Sequence, residues 1–537
     1  MQKWLRDQGE KLNQVELIKL EKDGLDVIQD IYRYAETGYD SITPDDMNRF
    51  KWAGIYEQKP KEGYFMMRVR IPSGILNSEQ ARVLASIAVD YGRNLVDITT
   101  RQAVQFHWLQ IQDMPDIFQR LKEVGLSSFE ACGDCPRTIV GNPLAGLDPY
   151  ELIDTRPLAQ ELNDYFLMNR DFSNLPRKYK ISISSSIYNA GHAEINDLAF
   201  TPAVKVIDGE EVIGFHVWVG GGLSAKPYLA KQLDVFVRPE EVVKVAAAVT
   251  TIFRDYGYRE KRHRARLKFL VADWGPEKFC EKLFELTGEL PGRGEDKIIG
   301  WNAGYFTGVH PQKQEGLKYV GLSVPVGRMT AEELEELARL ADKYGDGSLR
   351  TCNSQNIVLA NIPDHRIEKL LQEKVLERLT PYPRNFTAFA VSCTGNEFCN
   401  LALVETKERM RQLAYFLDEN IELDEPIRMH MVGCPNSCGQ RQIADIGFQG
   451  VLVKTPQGMK DAFEIYIGGT LGPNAVFNEK LKGRVLGDDL GRVVIQLIAY
   501  YKEEKQPGEK FYDFSKRTGI KPFQERLDQI LSQLQQS

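Results

Sequence analysis

The sequence predicts an α/β fold, in the α+β sense, built from two related halves around one site. Three observations carry this. A block of residues repeats at an offset of 253, strand and helix periods alternate inside each copy, and four cysteines fall in two short runs near the C-terminus.

In the repeat, Glu62-Gly63 recurs as Glu315-Gly316, and Pro72 and Gly74 recur as Pro325 and Gly327. Leu84, Ala85, Tyr91 and Gln102 recur as Leu337, Ala338, Tyr344 and Gln355. One ungapped register over about 40 residues exceeds chance, and the period is too long for a solenoid.

Each element follows from its own pattern. Residues 64–71 place Phe65, Met67, Val69 and Ile71 on one side, as a strand does. Ser78 before Glu79 opens a helix over 78–90, and Gly92 stops it. Residues 104–111 read as a strand and 115–124 as a helix. The second copy predicts strands at 319–324 and 357–362, with helices at 331–343 and 366–376. The expected organisation is a helical extension (1–54), the first copy (55–125), an inserted domain (126–309), the second copy (310–378) and a cysteine-bearing domain (379–537). The last of these closes on a helix at 522–534.

The copies differ in charge. Arg68, Arg70 and Arg101 correspond to Gly321, Ser323 and Ser354, so the first copy is expected to face anions.

The chain has 537 residues, 42% hydrophobic and 27% charged, which fits a soluble globular protein. No apolar run approaches the ~20 residues that span a bilayer. Residues 1–7 lack an apolar signal core, so a reducing cytoplasm is expected. A net charge of −7 gives no global footprint for nucleic acid. An acidic partner would need a local basic patch, such as Lys261, Arg262, Arg264 and Arg266, or Lys480, Lys482 and Arg484.

Cys393 and Cys399 are spaced C-x5-C; 34 residues later Cys434 and Cys438 are spaced C-x3-C. Four thiolates from two loops suit a 4Fe–4S cluster. The first pair is wider than a zinc knuckle, and disulfides need an oxidising compartment. Spacing alone leaves a cluster, a zinc site and unligated structural cysteines open.

The run from Cys393 to Lys407 and the run from Gly433 to Gly447 resemble the sirohaem-dependent sulfite and nitrite reductase family. The resemblance implies that family's three-domain fold, with a pseudo-two-fold repeat of ferredoxin-like halves around one sirohaem and 4Fe–4S site. It implies that Cys393, Cys399, Cys434 and Cys438 hold the cluster and that Cys438 also ligates the sirohaem iron. It places Arg101, Arg137, Lys178 and Lys180 on the distal face, against substrate. Arg68, Arg70, Gln102 and Thr138 are expected to contact sirohaem, as are Asn196, Arg350, Gln355 and Asn436. A plain iron–sulfur carrier or a zinc protein would leave the distal cations without a purpose.

Lys178 and Lys180, two apart on a strand, are expected to point the same way and to depress each other's pKa. Lys178-Tyr179-Lys180 and Gly133-Asp134-Cys135-Pro136-Arg137 look like ferredoxin-dependent sulfite reductases. Cys393-Thr394-Gly395-Asn396 looks like the nitrite-reducing version. The expectation is six-electron reduction of sulfite to sulfide, with nitrite to ammonia as the alternative. Gly220-Gly221-Gly222 suits close backbone approach to a macrocycle rather than a dinucleotide. With no flavin or NADPH module evident, electrons are expected from reduced ferredoxin or a flavodoxin. A monomer is expected. Cys280 and Cys352 read as structural. Tyr64 and Cys135 both border the distal pocket in this reading, which predicts a thioether between them.

Overall fold

The computed structural model describes residues 12–536; the signal-core expectation for residues 1–7 lies outside the described residues. Helices Gln14–Glu21, Val27–Thr37 and Pro44–Arg49 lead into the body.

Two five-stranded antiparallel sheets carry the 253-residue repeat. The first runs Ile55–Glu57, Phe65–Val69, Val104–Leu109, Leu95–Ile98, Arg328–Thr330. The second runs Gly308–Pro311, Leu317–Leu322, Ile357–Pro363, Ser348–Thr351, Ile75–Asn77. The last strand of each sheet comes from the other copy. Arg328–Thr330 pairs with Leu95–Ile98, and Ile75–Asn77 pairs with Ser348–Thr351. Helices Ser78–Asp90 and Ala331–Tyr344 pack together, each opened by a capping box, Asn77 with Gln80 and Thr330 with Glu333.

Backbone detail repeats as well. Ser73 and Val326 both lie at φ 51°, Gln102 and Gln355 at 59° and 67°, and Trp108 and Asn361 at 66° and 58°. A β-branched valine at positive φ is strained. Gly74 and Gly327 follow Ser73 and Val326. A Cβ on Gly74 would collide with the Thr351 carbonyl of the exchanged neighbour. The tight crossing of the exchanged strands therefore sets the left-handed turn.

The expected helix over 366–376 is broken into Ile367–Leu370 and a 3-10 turn, Lys374–Glu377. Glu373 between them is extended, its carboxylate drawn onto Lys343 (2.7 Å) and the Tyr344 hydroxyl (2.6 Å) of the neighbouring helix.

A second duplication, offset by 248, relates two six-stranded mixed sheets. Val140–Gly141, Ile181–Ile183 and Leu198–Ile207 pair in parallel, and Glu210–Val219 follows antiparallel. Ala390–Ser392, Met429–Val432, Ile446–Thr455 and Gly458–Ile467 repeat that order and those directions. His192 and Gln440, before the equivalent 3-10 turns, are both left-handed. One hydrophobic core, including Phe65, Leu84, Leu337 and Leu359, lies beneath the half-sheets and their helices. Each six-stranded sheet has its own, around Phe215 and Phe253 in one and Phe463 and Leu497 in the other.

Candidate active site

The parallel strands Ala390–Ser392 and Met429–Val432 end side by side, and their continuations are the two cysteine runs. Cys393 N donates to Met431 O at 3.1 Å, Gly433 N to Cys393 Sγ at 3.3 Å, and Leu403 N to Gly433 O at 2.9 Å. The loops are thus stitched to each other. Cys393, Cys399 and Cys434 all lie within electrostatic reach of Cys438. Burial pushes the Cys393 thiol up to about 12 and raises Cys399 and Cys434, so binding a cluster displaces their protons. Asn436 hydrogen-bonds the Cys434 sulfur. Among the described residues no three His, Cys, Asp or Glu side chains stand close enough to share a single metal ion. The donor set of four cysteines in mutual range fits the wider 4Fe–4S cube.

Symmetry places the cations opposite. Arg137 and the Lys178–Lys180 segment immediately precede the parallel strands Val140–Gly141 and Ile181–Ile183. Their loops are zipped by Leu175 N to Asp134 O (2.9 Å), Tyr179 N to Cys135 O (3.2 Å) and Arg137 N to Tyr179 O (2.8 Å). Asp134 beneath them accepts from Arg262 at 2.8 and 3.0 Å and pairs with Lys19 at 3.3 Å.

Arg68, Lys178 and Lys180 each feel the charge of Cys438, and Arg137 is next to Arg68 and Lys178. Cys438 is exposed to this space. Thr100 Oγ1 fixes it from the first half by donating to Cys438 O at 2.8 Å. Both lysines are only half-buried by surface area because they border this space, although they lie deep in the chain. Burial, then Arg177 and Arg266, lowers Lys178 to about 7 against the pull of Cys438. Burial, then Arg101 and Lys178, holds Lys180 well below the usual lysine range. The expected mutual repulsion acts, but it ranks behind desolvation.

The other expected site residues have defined partners. Arg101 was expected against substrate. Its Nη1 donates to Asn196 Oδ1 (2.8 Å) and its Nη2 to Thr138 O (2.8 Å) and Ile181 O (3.3 Å), while its buried Nε is left unpaired. Asn196 in turn donates to His192 O at 2.8 Å, and Thr138 serves here through its carbonyl. Arg68, expected on the cofactor, stands near Arg137 and within electrostatic reach of Cys438. Its counterpart Gly321 has no room for any side chain, since a Cβ would collide with the Phe306 carbonyl.

Gln102 and Gln355, both expected on the cofactor, form matching clamps on the backbone. Gln102 donates to Ser73 O (3.3 Å) and Gly141 O (3.2 Å) and accepts from Gly141 N (2.9 Å). Gln355 does the same with Ile98 O, Ser392 O and Ser392 N, at 3.0, 2.9 and 2.9 Å. Arg70 is buried and spends its guanidinium on Asn163, Glu130 O and Pro136 O. Arg350 is buried beside Arg156, donates to Leu349 O at 3.1 Å, and leaves its Nε unpaired.

Tyr64 and Cys135 are not paired. Tyr64 packs edge-on against Trp108 at 5.3 Å and beneath Arg93, whereas Cys135 donates to Cys132 O at 2.9 Å. The tyrosine and cysteine that meet are Tyr56 and Cys132, hydrogen-bonded next to Arg68 and Arg137. Burial first, then Cys132, raises the Tyr56 phenol well above its ordinary range. Tyr56 sits in a three-residue strand whose side-chain direction the sequence gives no means to read. Of the expected surface patch at 261–266, Lys261 and Arg264 are exposed, whereas Arg262 reaches Asp134 and Arg266 is buried. Arg266 binds Asp197 at 3.0 and 2.8 Å, beside the glycine turn at Gly222. Cys352 is buried and Cys280 partly so.

Comparison with known proteins matches this arrangement. The nitrite and sulphite reductase 4Fe-4S domain matches residues 132–289 and 386–534. The nitrite/sulfite reductase ferredoxin-like half domain matches residues 56–124 and 310–374. The ferredoxin–nitrite reductase of Synechococcus elongatus is 44% identical, over 91% of this chain and 96% of that one. Sulfite reductase [ferredoxin] 1 of Mycolicibacterium paratuberculosis is 37% identical over 96% of each. The solved structure of the Mycobacterium tuberculosis NirA protein superposes with a TM-score of 0.90, at 36% identity, covering 96% of this chain and 98% of that one. The residues present fit an anionic macrocycle, with buried unpaired Nε atoms on Arg68 and Arg101 and cations facing an exposed Cys438. On these matches, which span most of its length, the chain belongs to the nitrite and sulphite reductase family, with sirohaem and a 4Fe–4S cluster as its cofactors.

Proposed function

We propose that this oxidoreductase reduces sulfite to sulfide, taking electrons from reduced ferredoxin. The observation that carries the reading is the convergence of Arg68, Arg137, Lys178 and Lys180 around Cys438. When bound, sirohaem and the cluster would supply the electrons for the reduction, with Cys438 placed to serve both groups. Cys393, Cys399, Cys434 and Cys438 hold the cluster.

The side chains do the rest. Arg68 and Arg137 offer planar hydrogen-bond donors to an oxyanion, and the lysines add charge and transferable protons. Two arginines and two lysines suit sulfite, dianionic when fully deprotonated, better than monoanionic nitrite. Arg101 and Asn196 keep Lys180 aimed inward.

Nitrite is the second reading, favoured by relatives. Ferredoxin–nitrite reductases of Synechococcus elongatus and Zea mays are 44% and 41% identical to this chain, against 37% for the sulfite reductase. Ferredoxin as donor rests on those same relatives. A monomer and a cytoplasmic location stay part of the proposal; among the described residues no helix is long and apolar enough to cross a membrane.

Turnover with reduced ferredoxin, sulfite and nitrite side by side, tests this in the wild type and Lys180→Asn. A higher wild-type kcat/KM for sulfite that falls selectively in the variant supports sulfite. A preference for nitrite that the substitution leaves unmoved overturns it.

A further inference from the structure

A row of polar side chains crosses the first half-sheet at one level. Arg68 lies opposite Gln105, Gln105 opposite Asp97, and Asp97 opposite Arg328, so four adjacent strands contribute one residue each. Side chains at paired positions share a face. The contacts confirm the row. Arg68 Nη2 donates to Gln105 Oε1 at 2.8 Å, and Arg328 binds Asp97 through Nε and Nη2 at 2.8 and 3.0 Å. His107, two residues on from Gln105, donates from Nε2 to Asp97 at 2.9 Å.

Such a row is unusual in a sheet interior. Gln105 and Asp97 are each 2% exposed and His107 is 0% exposed. Buried polar groups are tolerated when partners are supplied, and of this row Arg68 Nε and His107 Nδ1 lack one.

What covers the row is the first cysteine run. Gln105 Nε2 donates to Thr394 Oγ1 at 3.1 Å, Phe398 stacks on His107 with centroids 3.9 Å apart, and Glu397 pairs with Arg328 at 2.8 Å. Thr394, Glu397 and Phe398 all lie between Cys393 and Cys399. One amide therefore has two jobs. Its oxygen holds an arginine of the anion pocket, and its nitrogen holds the loop that begins at the first cluster cysteine. Each bond fixes the amide orientation the other needs.

We propose that Gln105 is a positioning residue that sets Arg68 toward the anion and the Cys393–Cys399 loop toward the cluster through this single amide. The inference rests on the reading of Arg68 as an anion-facing cation. Leucine at 105 frees the guanidinium to swing and leaves Thr394 without its donor. Glutamate at 105 keeps an acceptor for Arg68 but loses the amide donor.

The test uses the fully loaded enzyme with ferredoxin, reading KM for sulfite and nitrite and the EPR spectrum of the reduced cluster. Gln105→Leu is expected to raise the anion KM about tenfold and to change the cluster spectrum. Thr394→Val reproduces the spectral change, and Gln105→Glu restores KM while the spectrum stays altered. A Gln105→Leu enzyme with wild-type KM and wild-type spectrum overturns the proposal. So does a changed spectrum with unchanged KM in an enzyme whose Arg68→Met variant does raise KM. An Arg68→Met enzyme with unchanged KM defeats the reading of Arg68 instead. Should Gln105→Leu fail to fold, Gln105→Glu decides, because loss of the KM rescue is equally fatal.

Discussion

Asp197 and Asp445 are equivalent residues, 248 apart, that do the same backbone work with different side-chain partners. Asp197 accepts the N–H of Lys180 and Asp445 that of Arg428, both at 2.9 Å. Arg428 then turns its own guanidinium onto Asp445, at 2.8 and 2.5 Å. In the first copy Arg266, just before the helix Leu267–Thr287, supplies that guanidinium. Lys180 is thereby released from the aspartate and left for the anion.

Arg266→Met should therefore cost activity at a distance. With Asp197 vacated, Lys180 is the nearest cation on the same backbone and folds back onto it. We expect kcat/KM to fall about as far as in Lys180→Met, and the double variant to be no worse than Lys180→Met alone. Additive losses would mean that Arg266 acts independently of Lys180. Breaking a buried ion pair also destabilises by about 3 kcal/mol or more, so the thermal midpoint is recorded alongside.

The clamp role of Gln102 predicts a stability loss without a cofactor loss. Leucine there strands three buried backbone groups, at Ser73 O, Gly141 O and Gly141 N, each costing about 1–3 kcal/mol. A Gln102→Leu enzyme is expected to melt lower and to keep the Soret position of the wild type. A shifted Soret band would restore Gln102 to the cofactor contacts.

Glu194 predicts a pH dependence of stability. It is 5% exposed, and burial raises its carboxyl to about 7, against donors at Gly472 N (2.8 Å) and Asn189 Nδ2 (2.6 Å). The folded state holds this proton more tightly than the unfolded state. Its stabilising share is complete below about 4.5 and is lost as pH rises through about 7. Glu194→Gln removes that share of the slope between pH 5 and 8, in thermal midpoints measured across the range. An unchanged slope would sink the assignment. Because glutamine offers one acceptor to two donors, the variant is not expected to gain stability outright.

Peptide mapping should find Tyr56 and Cys132, rather than Tyr64 and Cys135, in any fused peptide. A thioether there replaces one C–H and one S–H by a C–S bond, a two-electron oxidation with dioxygen as oxidant, and leaves the peptide pair two hydrogens lighter. Separate Tyr56 and Cys132 peptides from aerobically purified enzyme would dispose of it.

The first duplication was legible because its identities sit close together in one register, from Glu62 to Gln102. The second was not. Its identities are few: Phe215, Gly220, Gly221 and Leu223 recur as Phe463, Gly468, Gly469 and Leu471 in one short run, and others, such as Ile195 and Ile443 or Asp197 and Asp445, fall singly. What persists there is strand direction and the backbone bond to each aspartate, which a string of letters does not display. Spacing alone left the cysteines' role open, and it was the resemblance of their two loops to a known family that singled out Arg137, Lys178 and Lys180. The partners of Arg68 and Arg101 were not legible, because cross-strand pairing, not position along the chain, decides that one guanidinium meets Gln105 and the other meets backbone carbonyls. Tyr56 and Cys132 meet across 76 residues, a distance only the folded chain closes.

The exchanged strands also constrain the birth of the protein. Ile75–Asn77 leaves the ribosome about 270 residues before Ser348–Thr351 is made, and Leu95–Ile98 waits almost as long for Arg328–Thr330. For about half of translation the early copy carries an unsatisfied hydrogen-bonding rim, the kind of edge that templates aggregation. Shielding that rim until its distant complement arrives is a task for chaperones or for slow decoding, and pausing between the copies should govern yield more than codon choice within either.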